Sequence, residues 1–66
     1  MNDLQLARIA QSAFNKAGYT KATAFQNAVE VVADVLNNLA SYEDAYQTTD
    51  IEEIVEKVSK DVVAAM

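Results

Sequence analysis

Residues 22–40 read ATAFQNAVEVVADVLNNLA, the longest run in the chain over which apolar residues recur at helical spacing without interruption. On a wheel of about 100° per residue, Ala24, Phe25, Ala28, Val29, Val31, Val32, Val35, Leu36 and Leu39 fall with Ala22 and Ala33 on one arc. Thr23, Gln26, Asn27, Glu30, Asp34, Asn37 and Asn38 lie opposite. The apolar arc spans roughly 200°, twice the stripe of about 100° that a surface helix needs. A helix so built must touch other elements on two sides. Val31 and Val35 lie near one edge of the arc, Val29 and Leu36 near the other.

Upstream, a first helix is predicted over about residues 4–17, with Asn2 or Asp3 as N-cap and Asn2 with Gln5 in capping-box spacing. Leu6, Ala7, Ile9, Ala10, Ala13, Phe14 and Ala17 share its apolar face, and Gln5, Arg8, Gln11, Ser12, Asn15 and Lys16 share the other. Leu6, Ala10, Ala13 and Ala17 run down the middle of that face. Three short side chains in line let a second helix approach toward the close end of the 8–10 Å interaxial range. Gly18, the only glycine, stands where a helix ending at Ala17 needs a left-handed residue, and Tyr19 follows it to supply the apolar contact of that cap. Thr20 is then placed to cap the second helix, over about 20–40.

Helix, short glycine turn and helix is also the outline of the DNA-binding helix-turn-helix. The side chains argue against it. Phe14 occupies a crossing that requires a small residue, and Asn27 a position that requires an apolar one. The polar face of the second helix offers Thr23, Gln26, Asn27, Glu30 and Asp34, with no cation for a phosphate.

Downstream, neither Gly nor Pro follows Ala40, and Tyr42 and Tyr46 would continue the apolar face as far as Gln47. The alternative, which we favour, is a break near Ser41, which would cap a short extra turn over 42–46 with Asp44 at the capping-box position. Tyr42 and Tyr46 are expected to roof the core with their hydroxyls in water. Flanked by Glu43 and Asp44, they also form a candidate contact site, because aromatic residues are enriched at interface hot spots. The polar stretch 47–50 leads into a third helix over about 50–65, with Thr49–Glu52 or Asp50–Glu53 as capping box. Its stripe is Ile51, Ile54, Val55, Val58, Val62 and Ala65 or Met66, and Glu53–Lys57 and Glu56–Lys60 are four-residue ion pairs in the favourable order. The expected fold is a single all-α domain, a small three-helix bundle with the second helix in the middle.

The 66-residue chain holds no Cys and no His, so zinc sites of the thiolate or imidazole type cannot be built. Catalysis would fall to carboxylates, Lys, Tyr or Ser, and none of these is grouped for it. Glu52 and Glu56 lie one turn apart but without the glycine turn or ligand spacing of a calcium loop. No enzyme, cofactor or metal is therefore expected. Charge divides the chain: residues 1–33 carry three cations and two acids, residues 34–66 two cations and eight acids. An acidic half repels phosphate, which disfavours DNA, RNA and anionic lipid and leaves room for a basic protein partner. The acidic, interrupted N-terminal stretch predicts neither a secretory segment nor a membrane span, and a cytoplasmic location follows as the default.

The leading expectation is a non-enzymatic protein-interaction module or small regulator working as a homodimer. A chain this small gains stability by burying leftover apolar surface against its own copy, and Val31 and Val35 are the candidate seam. The alternative is an acidic decoy occupying the nucleic-acid groove of an enzyme, as inhibitors of phage or mobile-element type do. The candidate partner-binding residues are Tyr42, Glu43, Asp44, Tyr46, Glu52 and Glu56, and the decoy would use the carboxylates between Glu43 and Glu56.

Overall fold

A computed structural model describes residues 3–66 and contains four helices: α1 (Asp3–Lys16), α2 (Ala24–Asn37), α3 (Leu39–Tyr46) and α4 (Ile51–Ala64). No strand occurs among the described residues. The first and last helices stand within a residue of their predicted limits. The cap assigned to Asn2 lies outside the described residues. The favoured break after the second helix is present, and the short extra turn expected over 42–46 is a helix of its own, α3, which corrects the three-helix expectation to four.

The division falls at Asn38, three residues before Ser41. Asn38 leaves the helical region (φ −130°, ψ 35°), and its side-chain amide donates to the Asp34 carbonyl at 3.0 Å and to Asp34 Oδ1 at 3.1 Å. A short amide side chain thus gives the backbone an alternative to continuing the helix. The Asn38 carbonyl then accepts the Tyr42 N–H at 3.1 Å and starts α3. At its far end α3 stops on Gln47, whose φ of 59° is left-handed, and the Gln47 amide donates to the Asp44 carbonyl at 2.7 Å.

The turn between α1 and α2 is built on Gly18. With φ at 101°, Gly18 allows its N–H to reach the Asn15 carbonyl (3.1 Å) and the Tyr19 N–H to reach the Phe14 carbonyl (2.8 Å). These are the paired bonds of a Schellman cap. Its apolar contact is the Phe14–Tyr19 ring pair, with centroids 5.2 Å apart. Thr20 does not cap α2. The helix begins at Ala24 with Thr23 in the cap position, and Thr23 makes no side-chain cap bond because its hydroxyl is joined to the Tyr19 hydroxyl at 2.7 Å. Tyr19 also accepts a hydrogen bond from the Asn27 amide, so one ring fastens the turn to the first two turns of α2.

α1, not α2, is the central element: it packs on both α2 and α4, which meet each other less extensively. Ala7, Ala10 and Ala13 are fully buried on its inner face, and their short side chains let both neighbours approach. Leu6, Phe14, Ala24, Ala28, Val31, Val32, Val35, Ile54, Val55 and Val58 complete the core. Ser59 is also fully buried, with its hydroxyl donating to the Val55 carbonyl at 2.7 Å, so it leaves no polar atom unsatisfied. α3 contributes no fully buried residue, and only Leu39, Tyr42 and Tyr46 lean on the core.

Candidate interaction surface

The residues expected to bind a partner fall on α3 and α4. Asp50 caps α4 by accepting the Glu52 N–H at 3.1 Å, and its own N–H donates to the Thr48 hydroxyl oxygen at 3.1 Å. Glu53 does not close the expected reciprocal box. Its carboxylate is held below the usual range by a hydrogen bond from the Thr48 side chain and then by Lys57, whose Nζ lies 3.3 Å away. Glu56 is likewise engaged, 3.1 Å from Lys60. Asp44 and Glu52 are exposed, and Glu43 is half-buried.

Tyr42 and Tyr46 stack at 6.3 Å between centroids and lean on the core with their hydroxyls at the exposed surface, where each hydroxyl is also bonded to a carboxylate. The Tyr42 hydroxyl donates to Asp34 of α2, and the Tyr46 hydroxyl donates to Asp61 of α4 at 2.6 Å. Each bond stabilises the protonated phenol and places an anion beside any phenolate. Both phenols are accordingly shifted up, Tyr46 to about 12. The two tyrosines are therefore clasps that hold α3 across the ends of α2 and α4.

The proposed seam also needs correction. Val31 is 8% exposed and Val35 is 0% exposed, both inside the chain's own core. The wheel had identified two edges, and the α1–α4 pair closes over this one. The other stays open: Phe25, Val29 and Leu36 remain 39%, 46% and 38% exposed, and Leu4 of α1 is 51% exposed. Leu4 and Ala7 with Phe25, Val29, Val32 and Ala33 line a groove of about 160 Å³, together with Asp3. On α2 the open stripe is Phe25, Val29, Ala33 and Leu36, a row at helical spacing without a charged side chain.

Two other depressions mark the surface. One of about 210 Å³ between α1 and α4 is lined by Ile9, Ser12, Ala13, Lys16 and Glu56. The other, about 380 Å³, lies where the α1–α2 turn faces Val63 and Met66, and Lys21 brings a cation to its lining. Among the described residues there is no group of three or more acidic side chains disposed to hold a metal, and no helix is long and apolar enough to cross a membrane. Compared with protein-family models, with curated proteins and with solved structures, the chain matches none.

Proposed function

We propose that this protein is a non-enzymatic interaction module that works as a homodimer through the open edge of α2. The observation that carries the reading is the charge-free stripe of Phe25, Val29, Ala33 and Leu36, widened by Leu4. Large apolar side chains left half exposed in one contiguous patch mark protein contact sites. A second copy is the favoured occupant. Each chain carries a net charge of −5, so copies repel, and the α2 stripe, with Asp3 at the edge of its groove and Glu30 beside it, is the apolar face on which that repulsion least opposes contact.

The magnitude sets the strength of the pair. Full burial of a Val, Leu or Phe side chain contributes about 1.5–3 kcal/mol, so covering what Leu4, Phe25, Val29 and Leu36 still expose on two copies contributes about 5–10 kcal/mol. Association costs about 4–15 kcal/mol in lost freedom. The dimer is therefore weak and dissociates on dilution. Sedimentation equilibrium from micromolar to millimolar concentration tests it. The mass should rise toward twice the monomer, and Val29→Asp should remain monomeric with unchanged helical circular dichroism. A wild-type monomer at millimolar concentration overturns the reading.

The decoy reading rests on the exposed carboxylates of Asp44, Asp50 and Glu52. It is the weaker one, because Lys57 and Lys60 neutralise Glu53 and Glu56 on the same helix.

A further inference from the structure

Resting on the homodimer reading, we infer that the two α2 helices meet antiparallel about a two-fold axis level with residue 31, with Phe25 against Leu36 of the second copy and Val29 against its Ala33. The order of sizes along the open stripe is the ground. From Phe25 it runs large, medium, small, large, over twelve residues or about 16 Å of helix. Reversed and laid on itself, the row puts large ends on large ends and, twice, a valine on an alanine. Facing positions filled by one larger and one smaller residue interdigitate without voids. The parallel arrangement sets Val29 on Val29 and Ala33 on Ala33, overfilling one level and leaving a gap at the next. An isologous contact requires a self-complementary patch, and this stripe has that property in the antiparallel sense alone. Antiparallel helix dipoles also attract, whereas parallel ones repel.

The same axis fixes the flanks. The residues of α2 buried against α1 and α4 lie to one side of the stripe and Glu30 to the other. An axis perpendicular to both helices keeps each flank on its own side. Both α1 helices, with Leu4, then border the seam together, and the two Glu30 side chains come to the same side at nearly the same height. Like charges so placed repel, so Glu30→Gln should strengthen the dimer severalfold at low salt, and added salt should have the same sign of effect on the wild type. In a parallel pair the two glutamates fall on opposite sides and the Glu30→Gln gain is not expected, whereas salt relieves the general repulsion between two chains of charge −5 in either arrangement.

Because the chain has no cysteine, the register can be read by disulfide formation. Val29→Cys and Ala33→Cys are made singly and oxidised at millimolar concentration, each alone and as a mixture. A disulfide requires Cα atoms about 5.5 Å apart, a separation reached only by facing positions. The inference expects the mixture to give severalfold more covalent dimer than either variant alone. Equal yields, or more from either variant alone, overturn it. Sedimentation of the wild type separates the two levels: a monomer ends the homodimer reading itself, whereas a dimer whose mixture shows no excess ends only the antiparallel register.

Discussion

α3 and the α1–α2–α4 unit are joined to the same chain by different physics. The three longer helices are held by a shared apolar core in which Phe14, Val35, Ile54 and Val55 are fully enclosed. α3 is eight residues long, buries none of them fully, and is held by two phenol–carboxylate bonds, the Asn38 break and a strained cap at Gln47. Apolar burial is non-directional and scales with area, whereas a hydrogen bond near the surface contributes little net free energy. The first unit therefore determines whether the protein folds, and α3 determines how tightly one end is closed.

The largest expected effect breaks the first unit. Phe14→Ala removes a fully buried ring that packs on Tyr19, at a cost of about 3–5 kcal/mol. A core of this size rarely supplies more than about 3–5 kcal/mol in total. The variant should lose most of its helical circular dichroism at room temperature. If it melts within a few degrees of the wild type, the core is not centred on α1.

How much of this contrast could be read from the sequence depends on the range of the contact. Helical periodicity located α1 and α4, and Gly18 with Tyr19 specified a cap whose bonds are all local. A break near Ser41 was legible, but its place at Asn38 was not, because Leu39, Tyr42 and Tyr46 stay in phase with the stripe of α2, so periodicity bridges the kink. The signal that could have revealed it is Asn38 four residues after Asp34, a polar pair able to take the carbonyls from the helix. The clasp on Asp61 joins residues fifteen apart, which no local pattern reports. Choosing between the Val31–Val35 edge and the Val29–Leu36 edge required knowing which side α1 and α4 cover. That is a tertiary fact.

Of the α3 clasps, Tyr46 gives the sharpest test. Its phenol is raised from 10 to about 12 by the bond to Asp61 and is needed protonated in the folded state. A raised folded pKa contributes stability that is present below the unfolded value near 10 and is lost as pH climbs through about 12. Tyr46→Phe should mimic that loss at neutral pH, costing about 1 kcal/mol at most because the bond is exposed. Hydrogen exchange should show α3 amides opening earlier in the variant, with α1 and α4 protection little changed. Equal loss across all four helices would mean that α3 belongs to the same cooperative unit as the core.

A smaller change acts on the other end of the same element. Gln47 is held at φ 59°, a conformation unfavourable to any residue with a Cβ, and Gln47→Gly relieves it. The gain should be about 0.5–1 kcal/mol, offset by losing the side-chain bond to the Asp44 carbonyl and by the freer unfolded chain. Thermal denaturation should show a modest rise in melting temperature, and a fall would mean that the amide bond outweighs the strain.

The smallest expected effect on stability carries the most weight for function. Asp44 and Glu52 are exposed, Glu43 is half-buried, and none of the three lies in the core. Replacing all three by their amides should shift folding by less than about 0.5 kcal/mol, as exposed substitutions usually do. Glu52 lies in the first turn of α4, where its carboxylate favours the positive end of the helix dipole, so Glu52→Gln is the one expected to show any loss. The homodimer model adds a direction: these changes reduce the repulsion between two acidic copies without touching the α2 stripe, so self-association should hold or strengthen. A decoy for nucleic acid requires the opposite, because its affinity for a basic groove depends on the carboxylates and weakens with salt. Measuring self-association and binding to a basic nucleic-acid-binding protein with the same triple variant separates the two. Unchanged dimerisation alongside abolished, salt-sensitive binding to the basic protein would assign α3 and α4 a partner-binding role independent of the open edge of α2. A triple variant that dimerises normally, of a wild type with no affinity for the basic protein, would leave the apolar stripe as the working surface.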